Sequence, residues 1–226
     1  MEKKEKDLLT LIAERHSKRN YFADKEVPAK LIQDVLLAAR NAPSSRNGQP
    51  WKVEVVTGAS REALSAKLCE DFDNGIPECL EYKNRPDEPD QDTAARMFEY
   101  GKEFYAMYNI ERTDEAGRLR QRRLNLQFFG APVELIFHLP ANAVAGSFLE
   151  IGCFLQNVLG FHSLGLGACP QVSVASRPKV VKEHCGLGED RLIVCGMAVG
   201  WPDMSDPINT FAPRRCELEE FATFHS

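Results

Sequence analysis

The chain has 226 residues and a mass of 25.4 kDa, enough for one large domain or two small ones, and its 43% hydrophobic and 27% charged residues are ordinary for a globular protein. A formal net charge of -5 and a pI near 5.6 speak against a nucleic-acid module, whose footprint is a basic stripe. No apolar run approaches the roughly 18 residues of a membrane span, and the charged start MEKKEKDLL lacks the apolar core and cleavage site of a secretory signal.

Leu8, Leu11 and Ile12 recur at helical spacing and predict a first helix to about Arg15, which breaks into HSKRNYF. Pro28 stands where a first-turn proline stands, and Leu31, Ile32, Val35, Leu36 and Ala39 predict a second helix closed before Pro43. WKVEVVTG alternates Trp51, Val53 and Val55 against Lys52 and Glu54, a strand, with Ser60 placed to cap the helix that follows. From Asp71 to Asp92 the chain is rich in proline, acids and amides without a sustained period, and reads as a surface excursion. A helical stretch runs from about Ala94 to Tyr108. RLRQRR, Arg118 to Arg123, follows ERTDEAG, so opposite charges interleave and the segment reads as a salt-bridged helix face rather than a phosphate patch.

Val133 to Leu139 is a buried strand, and Phe148, Ile151, Leu155, Val158, Leu159 and His162 mark a long apolar helix. LGLGACPQVS then leads through a glycine-rich link into a short strand and an irregular loop. Pro178 opens a helix with Gly186 as its C-cap, Arg191 to Trp201 is a strand, and the tail is polar and irregular until Leu218. Few strands, most of them flanked by helices, predict an α+β fold with a modest sheet covered by helices. Trp51, FFGAP and FATFHS bring apolar groups to loop-flanked positions, which a dimer would bury.

Two stretches carry candidate chemistry. RHSKR offers the guanidinium groups of Arg15 and Arg19, the His16 imidazole and the Ser17 hydroxyl to one anion; equally, basic residues in a last helical turn neutralise the helix dipole. APSSRNGQPW presents Ser44, Ser45 and Asn47 to a polyol or heterocycle edge between stiffening prolines, or forms an elaborate turn. Tyr100, Phe104, Tyr105, Tyr108, Phe128 and Phe129 either line a cavity or are plain core. The seven scattered cysteines, with no Cys-x-x-Cys pair and no zinc spacing, suit a reducing cytoplasm, where a free thiol packs as a small hydrophobe. No triad or metal cluster is visible, so neither a catalytic side chain nor a metal is expected.

Together, RHSKRNYF, ARNAPSSRNGQPWKVEVV, LGLGACPQVS and VGWPD followed by RRCELEEF, in this order, resemble the FMN-dependent nitroreductase family over roughly residues 10–60 and 125–225. The resemblance implies a single nitroreductase-like α+β domain over 1–226, with a central, mostly antiparallel sheet covered by helices. It also implies an intertwined homodimer with one non-covalent FMN in each of two interface sites. Arg15, His16 and Ser17, joined by Arg215 from the tail, would bind the phosphate and ribityl end, and Arg19 would face the N1/O2 edge of the isoalloxazine. Pro43, Ser44, Ser45 and Asn47 would reach across from the partner subunit, while Cys169, Pro170 and Gln171 would lie along the flavin face opposite the substrate. Residues 72–125 would be an inserted lid, and 202–226 an extension packing on the partner subunit.

The implied reaction is ping-pong. NAD(P)H passes hydride to flavin N5 and leaves, and a small-molecule electron acceptor such as a nitroaromatic takes its place, with neither nucleic acid nor membrane as a partner. A fixed cation at Arg19 would stabilise the charge that builds near N1/O2. Reduction of quinones or enones, reductive dehalogenation or flavin breakdown on the same scaffold remains open, as does a flavin-binding redox sensor without turnover. The run QVSV after Pro170 departs from the family pattern and leaves the amide that meets N5 unassigned.

Overall fold

The computed structural model describes residues 7–225, so the charged start at 1–6 and Ser226 lie outside it. Strand β1 (Lys52–Thr57) pairs with β2 (Val133–Pro140), β2 with β4 (Arg191–Gly200), and β4 with β3 (Gly167–Gln171), giving a four-stranded sheet in which every pairing is antiparallel. The two middle strands are the most continuously apolar segments, and both are buried along nearly their whole length. That is what coverage on both faces demands.

One face of the sheet presents Val133, Leu135, Phe137 and Leu139 to Ile32, Val35 and Ala39 of α2 (Ala29–Ala39) and to Ile151, Phe154 and Val158 of α6 (Ala145–Val158). The other presents Ile136, Ile193 and Ala198 to α3 (Gly58–Asp73), α7 (Val172–Ala175) and α8 (Pro178–Cys185), with Phe128 and Phe129 in the same cluster. A bulge sits between the pairs Phe137–Cys195 and His138–Ile193, leaving Val194 as the extra residue. Val194 and Cys195 therefore both join the first face.

Helix α1 (Leu8–Glu14) opens with the Asp7 carboxylate accepting the Thr10 amide at 3.0 Å and ends one residue short of the expected Arg15. Helices α4 (Gln91–Ala106) and α5 (Glu115–Leu126) form the excursion between α3 and β2, and α9 (Leu218–Phe221) is a single turn in the tail. Arg122 and Arg123 of α5 are ion-paired, but not with the acids that precede them along the helix: Arg122 reaches Glu78 at 2.9 Å and Arg123 reaches Asp73 of α3 at 2.8 Å. Pro178 stands in the first turn of α8, and Gly186 ends that helix at φ 66°.

Several expectations are corrected. The cap of α3 is Thr57, not Ser60, whose hydroxyl lies in the first turn 3.0 Å from His184 Nε2. The apolar helix begun at Ala145 stops at Val158 and tightens into a 3-10 stretch to Leu164, a change that a stretch of six residues is too short to reveal in the apolar spacing. The segment after β3 is the helical turn α7 rather than an irregular loop. In β1 the inward valine of the second half is Val56, at 5% exposure, while Val55 at 45% faces out, because an edge strand is covered along only part of its length. Two of the three reasons for expecting a dimer dissolve within the chain: Trp51 stacks on Phe154 with centroids 4.9 Å apart, and Phe128, Phe129 and Ala131 are core. Phe221 and Phe224 remain exposed.

Candidate functional site

Residues 15–22 leave α1 and cross the open side of the sheet beside β3. The Lys18 amide donates to Ala168 O at 3.3 Å, Tyr21 bridges to Pro202, and the Phe22 amide donates to Trp201 O at 3.0 Å. The crossing is close because Gly167 and Gly200 face each other in the ladder beneath it. A Cβ on Gly167 would come within 2.8 Å of Lys18 Cγ and 3.0 Å of Tyr21 Cε1, and one on Gly200 would meet Pro132 Cδ at 2.7 Å. Tyr21 is buried and anchors the crossing, its hydroxyl donating to Lys18 O at 2.8 Å.

This path brings the N-terminal cations to the tail. Burial first, and then the Arg215 guanidinium, lower the pKa of Arg15, so the arginines predicted from opposite ends of the sequence do converge. Ser17 hydrogen-bonds Cys169, and Arg19 and Arg15 draw the Cys169 thiol down against the burial that raises it overall. Asn209, fully buried, ties the ends together: its Oδ1 accepts the Arg19 amide at 2.6 Å, and its own amide donates to Asn20 O at 2.6 Å and Asp203 O at 2.9 Å. Lys18, only 5% exposed, sends its ammonium to Asn209 O at 2.6 Å and to His16 Nε2 at 2.7 Å. An ammonium has no lone pair, so His16 Nε2 accepts and Nδ1 carries the proton donated to Glu14 O at 2.9 Å. Both ring nitrogens of His16 are thus engaged by the chain itself. Burial lowers the Lys18 pKa, and no ion pair to Arg15, Lys18, Arg19 or Arg215 is found among the described residues.

Aromatic side chains wall this cationic cleft. Tyr100 and Phe104 of the excursion lie against Arg19, Tyr108 packs edge-on against Phe104, and Tyr100 and Arg215 line a cavity of about 400 Å³ with Arg96 and the acids Glu99, Glu103 and Glu220. Cys169 is buried in β3, Pro170 is exposed, and Gln171 donates to Asn125 O at 2.5 Å while its Oε1 lacks a partner. Pro170 and Gln171 line a separate cavity of about 540 Å³ with Asn84, Arg122 and Asn125. Pro43, Ser44, Ser45 and Asn47 do not join the cluster: the Ser45 amide donates to Glu150 Oε1 at 2.8 Å, Ser44 Oγ accepts the Gln49 amide at 3.1 Å, and Pro43, Ser45 and Asn47 are exposed. Arg46, Asn47 and Gln49 all have positive φ, at 51°, 58° and 45°, a contorted backbone that nothing in its own chain covers.

Lys18, Asn209 and Phe211 escaped the sequence reading. Lys18 sits inside a motif already singled out, but burial of an ammonium follows no pattern of spacing. Asn209 and Phe211 lie in a tail without periodicity, where only the nearness of Arg215 hinted at a structural partner for the cluster.

An antiparallel α+β sandwich with a cationic, aromatic-walled cleft at one sheet edge defines the class: a protein shaped to receive a flat anionic ligand. The Nitroreductase family model matches residues 12–201. The chain is 37% identical over 217 residues, covering 95% of both sequences, to a chloronitrobenzene nitroreductase of Comamonas testosteroni. It is 36% identical over 219 residues to a 4-nitrobenzoate reductase of Pseudomonas putida, covering 96% of this chain and 95% of that protein. Among solved structures, an FMN-dependent nitroreductase from Mycobacterium smegmatis in complex with NADPH superposes with a TM-score of 0.92 at 27% identity, over 97% of this chain and 100% of that one. The chain belongs to the nitroreductase family.

Proposed function

We propose that the protein is an FMN-dependent NAD(P)H oxidoreductase of the nitroreductase type, reducing nitroaromatic compounds as a cytoplasmic homodimer. The observation that carries this reading is the nearness of Arg15 to Arg215, like charges that repel until an anion joins them. A phosphate meets that requirement, and guanidinium forks match its oxygens in pairs. The rest of the cleft suits a flat aromatic body, with the Ser17 hydroxyl, the Arg19 guanidinium and a wall of rings in line. The residues present therefore fit FMN.

Bound FMN supplies what no side chain here has, the ability to take two electrons from reduced nicotinamide and hand them to a nitro group. Arg15 and Arg215 hold the phosphate, Ser17 the ribityl chain, and His16 keeps the loop in shape through Lys18 and Asn209. Arg19 places a fixed positive charge at the pyrimidine edge, where negative charge gathers on reduction. Cys169, beside Ser17, would lie along the flavin, and the adjoining cavity lined by Pro170 and Gln171 would have to be continuous with the cleft once FMN is bound. Pro43, Ser44, Ser45 and Asn47 of each copy complete the pocket of the other, which gives the exposed, strained loop a use. Residues 72–125 act as the lid, excluding water with α4, and 202–226 extend toward the second copy, where Phe221 and Phe224 find cover. The names of the relatives, a chloronitrobenzene and a 4-nitrobenzoate reductase, support a nitroaromatic acceptor.

The test is an absorbance spectrum followed by anaerobic titration. The purified protein is expected to be yellow, to bleach with NADH or NADPH, and to recover its colour when nitrobenzoate or chloronitrobenzene is added. A colourless protein that does not take up added FMN overturns the reading.

A further inference from the structure

Arg19 is gripped by two segments that are far apart in the chain, helix α4 and the tail. Its Nη2 donates to the Tyr100 hydroxyl at 3.2 Å, its guanidinium carbon lies 5.0 Å from the centre of the Phe104 ring, and its backbone amide is held by Asn209. Tyr100 and Phe104 stack on α4 with centroids 5.5 Å apart and planes 15° apart, and Phe211 of the tail closes against them at 6.0 and 6.3 Å. The rings leave the guanidinium little freedom except rotation in its own plane. Among the described residues the Tyr100 hydroxyl is the one hydrogen-bonding partner found for the guanidinium, and it fixes that rotation, because a cation over a ring face is attracted without a preferred in-plane angle. Burial raises the Tyr100 pKa and Arg19 opposes it only in part, so the phenol stays protonated and accepts from Arg19 through its oxygen.

We propose that Tyr100 is the positioning residue of Arg19: its hydroxyl turns the guanidinium toward the pyrimidine edge of the flavin and thereby sets how strongly the site favours the reduced cofactor. The inference rests on the FMN assignment above. It makes the lid helix α4 part of the tuning of the cofactor as well as a cover over it. A lid that shifts carries Tyr100 with it, releasing the guanidinium and weakening the preference for the reduced form.

The experiment compares the midpoint potential of bound FMN in the wild-type holoenzyme, Tyr100→Phe, Arg19→Ala and the double variant, by equilibration with a reference dye. Tyr100→Phe keeps the ring stack and removes only the hydroxyl. It is expected to retain FMN and to lower the preference for reduced over oxidised flavin about three- to tenfold, a fall of about 14–30 mV for a two-electron couple. Arg19→Ala is expected to lower it further, and adding Tyr100→Phe to Arg19→Ala to change nothing more. A Tyr100→Phe protein that is yellow and has the wild-type potential overturns the inference alone, as do additive shifts in the double variant. A wild-type protein that takes up no FMN overturns the cofactor assignment and this inference with it, and its lack of colour tells the two failures apart.

Discussion

Glu134, the second residue of β2, has no exposed surface and packs over Gly196 toward Val174, and neither carboxylate oxygen has a hydrogen-bonding partner of good geometry among the described residues. Burial holds its pKa well above the ordinary carboxylate value, with the Met197 amide and Arg61 opposing only in part. The folded protein keeps this proton to a higher pH than the unfolded chain does. Stability therefore falls as pH rises from the ordinary carboxylate pKa to the raised one, by about 1.4 kcal/mol for each pH unit. Glu134→Gln is neutral throughout. Denaturant unfolding is expected to show the variant gaining on the wild type between pH 5 and pH 8; an equal difference at both ends would mean that Glu134 ionises as an exposed acid does. Nothing in the alternation of β2 announced this residue, whose position reads as core and whose chemistry reads as surface. The nearness of Arg15 to Arg215, and of Ser17 and Arg19 to Cys169, was legible through the motifs that carry the family resemblance. Lys18 and Asn209 were hidden because their task is to hold backbone, which many residue types perform.

At the scale of elements, legibility followed the strength of the period and the clarity of the punctuation. Helices α2 and α8 carry a regular apolar stripe with a proline at the start, and the strands β2 and β4 are dense in apolar residues, interrupted in β2 only by Glu134 and His138, so all four lie close to where the sequence placed them. The end of α6 was not legible, because the apolar spacing continues through the 3-10 stretch, and α7 is too short to express a period at all. The crossing of residues 15–22 over β3 and β4 depends on missing side chains rather than present ones. Gly167→Ala drives a methyl group into Lys18 and Tyr21, which cannot retreat because their backbone is bonded to Ala168 and Trp201 on either side. Overpacking of this kind costs about 1–3 kcal/mol, with Tm falling roughly 2–4 °C for each kcal/mol. The expected signature is uneven: FMN affinity drops with stability, because the displaced residues adjoin Ser17 and Arg19. A melting curve lowered with flavin binding intact would separate the crossing from the site.

For the whole molecule, one group of exposed apolar side chains lies on helices away from the cleft. Leu8, Leu9 and Ile12 of α1, Leu37 of α2 and Leu149 of α6 are 52% to 78% exposed, and all three helices lie on one side of the sheet. Leu149 is next to Glu150, which holds Ser45 of the contorted loop, so the apolar surface and the loop form one face. A second copy covering that face would satisfy both. Leu149→Glu is expected to convert a dimer into a monomer in sedimentation and to release FMN in the same step; a flavin-loaded monomer would refute the shared pocket. That face was only half legible in advance. The apolar residues of α1 were seen, but Trp51 and FFGAP pointed to a partner when they were in fact serving this chain's own core.

The backward-turning backbone at Arg46, Asn47 and Gln49 has a consequence for how such a protein can exist. Each positive φ at a residue other than glycine carries a penalty of roughly 1–3 kcal/mol, against which a solitary polypeptide sets only local hydrogen bonds such as that from the Gln49 amide to Ser44 Oγ. On the shared-pocket reading, benefit arises solely in company, and it arises twice, because each member of the pair lends its neighbour what it cannot use itself. Separation would empty both chambers together, leaving no half-competent intermediate for dilution or damage to produce.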